Sequence, residues 1–440
     1  MRDRGRALRI GIVTHAYYPH YGGVTENVAA TRRALARLGH RVTVITAGAG
    51  AGEREPGVIR IGGQVLVPWN GATVNLTHGF ALETRLAEIY RRERLDLLHI
   101  HCPLAPMLPL AALRAARGRP VVGMFHATAR TNLGYALFRP LLAGAFRHIT
   151  VPVAVSEPAR RFVAQYFPGP YRIVPNGVDL ERFSPAVPPH GARDGVPTIL
   201  SLGRLDPRKG IEHLIDAMPL VAAAIGRVRL LVVGDGPRAR DLRVRAGERA
   251  RGLVEFLGSV PAAAVPGLYA TADCLCAPAV RNESFGIVLL ESMASARPVV
   301  ASDIDGYRQV VVPGETGLLV PPGDPRALAG ALTAVLGDPA RRAAMGEAGR
   351  RRAQRFAWEH VTAELVGIYR EAIARSPVLA TDRETQQVGA RVEGNTRRAE
   401  VAVAPRPLAR EEELVLLGPE SGTSHRARSG VTGTGRGASS

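Results

Sequence analysis

Lysine is almost missing from this chain. Of 57 basic residues, 56 are arginine and one, Lys209, is lysine. Where either cation would serve, the sequence uses arginine, so a retained lysine points to a place that needs a compact ammonium rather than a planar fork. Cysteine is nearly as scarce. The odd number, Cys102, Cys274 and Cys276, excludes a closed disulfide framework and suits a reducing compartment. No second Cys/His pair stands at a zinc spacing, so Cys274 and Cys276 are read as small buried hydrophobes. Long apolar runs are absent as well. Arg, His or Pro interrupts each one before the ~18 residues that a membrane span needs, and the N-terminus runs directly into a short strand pattern without a secretory signal. The expectation is a cytoplasmic protein.

What is present is charge and alternation. The net charge is +18. Residues 376–440 carry nine Arg and eight acids, leaving +17 on the body. Such a surface attracts anionic partners such as nucleotide phosphates or lipid headgroups. The basic residues are not interleaved with aromatics and show no helix-turn-helix pattern, so no nucleic-acid partner is expected.

Short β-branched runs alternate with amphipathic stretches, the pattern of parallel α/β units. The first series has strands at 8–14, 41–46, 97–101, 120–126, 151–156 and 171–177, with a helix over 24–38. Ser156 reads as the cap of a further helix. Residues 184–197, rich in Pro and Gly, read as a linker. A second series has strands at 198–204, 227–236, 253–258, 274–278, 297–302 and 316–320. Helices follow at 325–336, 339–355 and 358–374. The predicted organisation is an N-terminal domain over 1–183, completed by 358–375, and a C-terminal domain over 198–357. The tail, 376–440, is expected to be disordered.

Four motifs carry chemistry. Residues 283–291 (ESFGIVLLE) place Glu283 before a helix opened by Ser284, Phe285 and Gly286, with Glu291 inside it. Free N–H groups at that helix start suit a phosphate, and a carboxylate at Glu291 suits a ribose diol. Residues 203–210 (GRLDPRKG) follow a buried strand, at the crevice position of such folds. There Arg204 and Lys209 would neutralise a diphosphate leaving group. Gly22 and Gly23 allow close backbone approach at a helix start, without the G-x-G-x-x-G spacing of a dinucleotide dehydrogenase. His126 ends a strand and would face the crevice. The Asp303-Ile304-Asp305 triplet reads as a strand-to-helix loop, so no metal ligand is assigned.

GGV, FHA, NGVD (176–179), GRLDPRKG, VGDGP and ESFGIVLLE occur in the order found in retaining GT-B glycosyltransferases of the large mannosyl- and glucosyltransferase group. The resemblance spans about residues 8–375 and is nearest to the phosphatidylinositol α-mannosyltransferases, which the chain also resembles in VPWNG and DLLHIH. It implies two Rossmann-like domains facing across a cleft, with the last helix crossing back to the first domain. It further implies hexose transfer, with mannose from GDP-mannose as the expected donor, to a lipid-linked or glycan acceptor. Glu291 would hold the ribose, Glu283 the donor sugar, Arg204 and Lys209 the diphosphate. Gly22 and Gly23 would approach the donor phosphate, and His126 the sugar near its anomeric carbon. Trp69 and Asn70 would lie on the acceptor side. No metal or other cofactor is implied. A lipid acceptor would bring the protein to the inner face of the plasma membrane as a peripheral enzyme.

The chain departs from that group where a basic residue for the acceptor phosphate is expected. Asn75 stands there, and FALETRLAEIY carries more acid than base, so the sequence does not assign phosphatidylinositol as acceptor. Two other readings are held beside this one: a different sugar-nucleotide enzyme on the same fold, such as a glucosyltransferase or epimerase, and a non-catalytic anionic-ligand-binding protein.

Overall fold

The computed structural model describes residues 6–18, 22–48, 55–69, 72–79, 81–191 and 194–376. Of the expectations above, Asn70 and the tail from residue 377 lie outside them.

The N-terminal lobe runs β1 (Arg9–Val13), α1 (Gly23–Arg37), β2 (Arg41–Ala47), β3 (Val58–Ile61), β4 (Gly63–Trp69), β5 (Ala72–His78), α2 (Leu82–Arg92), β6 (Leu97–His101), α3 (Leu108–Ala115), β7 (Val121–Phe125), α4 (Leu133–Leu137), α5 (Arg139–Phe146), β8 (Val151–Ala154), α6 (Glu157–Ala164) and β9 (Arg172–Ile173). Seven of its strands form one parallel sheet in the order β3-β2-β1-β6-β7-β8-β9. Every residue of β6 and β7 is buried, because helices cover both faces. This is why the strands read as continuous apolar runs. Ser156 caps α6 as expected, its hydroxyl accepting from the Ala159 N–H at 3.2 Å. β4 and β5 stand apart as an antiparallel ribbon, with Trp69 opposite Ala72 at its tip. The predicted strand over 171–177 shortens to the two residues of β9, whose side chains are exposed at the sheet edge.

The C-terminal lobe repeats the plan: β10 (Thr198–Leu202), α7 (Ile211–Ile225), β11 (Arg229–Val233), α8 (Ala239–Arg249), β12 (Val254–Gly258), α9 (Val265–Thr271), β13 (Cys274–Ala277), α10 (Ile287–Ala294), β14 (Val299–Ser302), α11 (Asp305–Arg308), β15 (Gly317–Val320), α12 (Pro325–Leu336) and α13 (Pro339–Ala353). Its parallel sheet has the order β12-β11-β10-β13-β14-β15. Cys274 and Cys276 are fully buried in β13.

The chain crosses between lobes twice, and the crossings lie side by side. Val178 bridges Ala357 in parallel fashion, with its N–H donating to the Phe356 carbonyl at 2.8 Å. Gly177 is required here, because a Cβ would lie 2.5 Å from the Trp358 ring. Past this point α14 (Trp358–Ala374) returns to the first lobe. Trp358, Leu365 and Tyr369 join Ile10, Ile12 and Val153 in one buried cluster. The expected pair of parallel-sheet, Rossmann-like domains and the returning last helix are both present.

Candidate functional site

In an open parallel sheet the strand order reverses at one place, and the loops at the carboxyl ends of the two strands there part to form a crevice. In the second lobe that place lies between β10 and β13. The loop after β10 is GRLDPRKG; the loop after β13 leads to Glu283. Asp206 is buried, caps a short turn over Pro207–Lys209, and holds the Arg208 guanidinium at 2.7 Å. Gly210 adopts φ 63, where a Cβ would lie 2.2 Å from the Pro278 carbonyl oxygen. The Val280 N–H donates to the Arg208 carbonyl at 2.8 Å. The two loops are thereby laced together, and Lys209 Nζ meets a Glu283 carboxylate oxygen at 3.0 Å.

VGDGP has a structural reason of its own. At Gly234, with φ 126, a Cβ would strike the Gly203 carbonyl oxygen, and at Gly236 it would lie 2.5 Å from the Leu205 carbonyl. These glycines let the loop after β11 nest against the loop after β10. Gly203, Arg204, Lys209, Val288 and Tyr307 line the resulting crevice.

The start of α10 closes this crevice. Gly286 is its N-cap at φ 98, and a Cβ there would lie 2.8 Å from the Tyr307 ring. Phe285 is buried and packs edge-on to Phe356, so its backbone rather than its ring is available to a ligand. Glu291 lies one turn into the helix. The Tyr269 hydroxyl donates to its carboxylate at 2.8 Å. Burial pushes the Glu291 carboxyl up to about 7, the Tyr269 hydrogen bond and Arg182 oppose that shift, and Glu26 adds to it.

The first lobe presents α1 to this point. Gly22 has extended backbone, and a Cβ on it would meet nothing within 4 Å. At Gly23 a Cβ would lie 3.7 Å from Ile287 Cδ1. The N-termini of α1 and α10 therefore face each other across the cleft, two ready donors for an anion. Arg161 on α6 and Asp305 on α11 pair across the lobes at 3.2 Å. Asp303 and Asp305 both bind Arg308, in keeping with a strand-to-helix loop. Among the described residues no group of His, Cys, Asp and Glu could hold a metal ion.

His126 sits at the end of β7 as expected, but it belongs to a column of histidines that the motifs did not reveal. Its Nε2 lies 2.8 Å from His101 Nδ1, one nitrogen donating and the other accepting. His101 stacks on His99 with centroids 4.4 Å apart. His99 Nδ1 lies 2.8 Å from the Tyr369 hydroxyl on α14. His99 and His101 alternate on β6 and so share one sheet face. Burial pushes His126 and His99 down to about 3 and His15 to about 4, and holds His101 well below its ordinary value. These imidazoles are neutral near pH 7. Two histidines spaced by two in an apolar strand were a legible signal; Tyr269, Tyr307 and Tyr369, remote in sequence, left none.

Arg204 and Lys209 thus line the crevice, Glu283 pairs with Lys209, Gly286 opens α10 against Tyr307 with Ser284 just before it, Glu291 lies one turn into that helix, and Gly23 stands opposite its start. His126 lies in the other lobe, and Trp69 on the separate ribbon.

Residues 185–352 match the family described as Glycosyl transferases group 1, and residues 21–182 match Glycosyltransferase Family 4. The chain is 36% identical over 368 residues to a phosphatidyl-myo-inositol mannosyltransferase of Mycolicibacterium smegmatis, covering 82% of this chain and 93% of that protein. It is 32% identical to a GDP-mannose-dependent monoacylated alpha-(1-6)-phosphatidylinositol monomannoside mannosyltransferase of Corynebacterium glutamicum, over 64% of this chain and 78% of that one. Among solved structures, Anabaena Alr3699/HepE in complex with UDP-glucose superposes with a TM-score of 0.67 at 20% identity, over 83% of this chain and all of that one. Sucrose-phosphate synthase from Thermosynechococcus elongatus gives 0.66 at 24%, over 84% and all of its length. These two share the fold.

Proposed function

The chain belongs to the GT-B glycosyltransferases, in the family of the phosphatidyl-myo-inositol mannosyltransferases, and from that premise we propose that it moves mannose from GDP-mannose to an inositol-containing lipid with retention at the anomeric carbon. The donor would lie between the N-termini of α10 and α1. Glu291 would accept hydrogen bonds from the ribose hydroxyls. Arg204 and Lys209 would neutralise the diphosphate as the bond between the anomeric carbon and its oxygen breaks. The acceptor hydroxyl would attack from the face the diphosphate leaves, its proton passing to the departing phosphate oxygen. Glu283, already beside Lys209, would hold the sugar hydroxyls. His126, kept neutral by burial, would offer the sugar a hydrogen bond without adding charge. Donor-binding roles for Ser284, the Phe285 backbone, Gly286, Gly22 and Gly23 belong to the same reading, as does an acceptor-side role for Trp69.

The observation that carries this reading is the sole lysine, 3.0 Å from Glu283 in the crevice beneath α10. Two relatives whose names specify inositol-lipid mannosyl transfer support the donor and acceptor. Incubation of the purified chain with GDP-mannose, UDP-glucose and inositol-lipid acceptors, followed by product mass and anomeric analysis, tests it. An α-mannosylated inositol lipid is expected. Turnover of UDP-glucose alone, or near-normal turnover after Lys209→Ala and Glu283→Ala, would refute it.

A further inference from the structure

His126 commits one ring nitrogen to a neighbour, and that neighbour decides what the other nitrogen can do. The His101 and His126 rings lie within 14° of parallel with centroids 5.0 Å apart, while His101 Nδ1 and His126 Nε2 meet at 2.8 Å. Nearly parallel rings bring two nitrogens that close only edge to edge, so the contact is an in-plane N–H···N hydrogen bond. His126 is half-buried at the end of β7, and Nδ1 is the nitrogen it has left for a ligand.

A neutral imidazole carries one N–H and one lone pair, and the bond made by one nitrogen fixes the other. Two arrangements fit the distance. If His126 Nε2–H donated, His101 would carry its own proton on Nε2. His101 is fully buried, and its Nε2 meets no hydrogen-bonding group among the described residues. That arrangement would bury an N–H with no acceptor, which native interiors rarely tolerate. The reverse arrangement leaves only a lone pair there, the lesser cost. Burial first, and neighbouring imidazoles second, hold His101 and His126 well below their ordinary values. Near pH 7, therefore, neither ring escapes the choice by taking a second proton.

We infer that His101 is a positioning residue for sugar transfer: its Nδ1–H donates to His126 Nε2, locks His126 as the Nδ1–H tautomer, and leaves that N–H to donate to an oxygen of the donor sugar. His99, stacked on His101 and tied to the Tyr369 hydroxyl, keeps the His101 ring from turning. The sugar contact rests on the proposed function; the tautomer does not.

Proton–nitrogen correlation spectra of the full chain, isotopically labelled at the histidine nitrogens, read the tautomer directly. The signals that His126→Gln removes belong to His126. Wild type should show His126 protonated on Nδ1. His101→Leu should release it to the Nε2–H form or a mixture, whereas His101→Asn, whose amide can place an N–H where Nδ1–H stood, should keep it. GDP-mannose turnover should fall roughly tenfold in His101→Leu, the loss of one oriented hydrogen bond. In His101→Asn it should return to within about threefold of wild type. GDP binding by calorimetry should stay stoichiometric in each. In a His126→Gln background, His101→Leu should cost nothing further; an equal further loss there would mean a purely structural role and overturn the inference. So would a wild-type His126 protonated on Nε2, or a tautomer and turnover that His101→Leu leaves unchanged. Should His101→Leu not fold, the wild-type spectrum and His101→Asn decide the question. Absent turnover in every protein would defeat the proposed function and leave the spectra to decide the part played by His101.

Discussion

Lys209 and Glu283 hold each other in a crevice where both keep some exposure, 21 and 15% of the side chain. On the proposed reading, an incoming diphosphate would share the ammonium without first breaking a dry, buried pair. Lys209→Ala should lower kcat by roughly 10²–10³-fold, the usual cost of one electrostatic donor to a leaving group. Lys209→Arg keeps the charge but brings a wide fork into a 3.0 Å contact, so it should stay well below wild type. Steady-state turnover of GDP-mannose checks both. Glu291 gives a pH signature. Its folded value, about 7, lies above its ordinary 4.5. Through that window the native state keeps a proton that the unfolded chain releases, so Glu291 lowers stability as pH rises, with the loss complete above about 7. Thermal melts from acid to neutral pH should show Glu291→Gln gaining on wild type. Because hydroxyls donate to the ionised carboxylate, GDP affinity should rise with pH in wild type and stay flat in the variant, as read by calorimetry. Glu283, Arg204 and Lys209 stood out as residues because each sits in a loop of unusual composition. The contact between two of them did not, since it requires the Val280–Arg208 hydrogen bond that laces two loops 72 positions apart.

Among elements, those with strong end signals or full burial were the most legible. LLHIH is β6, whose five residues are all buried, and residues 325–336 are α12 to the residue, because Asp324 caps its start, Pro325 opens it and Gly337 follows its end. The antiparallel ribbon of β4 and β5 and the reduction of 171–177 to β9 were not read. Edge position and cross-strand pairing, which fix these elements, leave little period in a single strand. The NGVD segment takes its reason from an element far away. The Asn27 side-chain amide donates to Asn176 Oδ1 at 2.7 Å, and Gly177 admits the Trp358 ring that begins α14. Gly177→Ala should therefore cost about 1–3 kcal/mol by overpacking. Thermal unfolding should show a lowered midpoint, with donor chemistry retained at low temperature.

At the scale of the molecule, α14 gives its apolar face to the first lobe. Ending the chain after Ala357 would strip Trp358, Leu365 and Tyr369 from the buried cluster and leave His99 without its hydroxyl partner. Such a truncation should yield a chain that binds a hydrophobic dye and loses cooperative melting, whereas Tyr369→Phe should cost only about 1–3 kcal/mol. The lobes also touch through Arg161 and Asp305 and through Arg182 and Glu26, the latter at 3.8 Å. These partly exposed pairs are worth about 0–1 kcal/mol each, too little to lock the two lobes against each other.

The sequence by itself determined the alternation of strands and helices, the family, and the loops that carry the crevice. Each follows from local periodicity or from a short run of residues whose chemistry is set by their order. Only the tertiary structure decided that Lys209 meets Glu283, that α1 faces α10, and that a histidine column ends at Tyr369. Those facts depend on strand order and lobe closure, and both arise from packing between segments that the chain holds far apart.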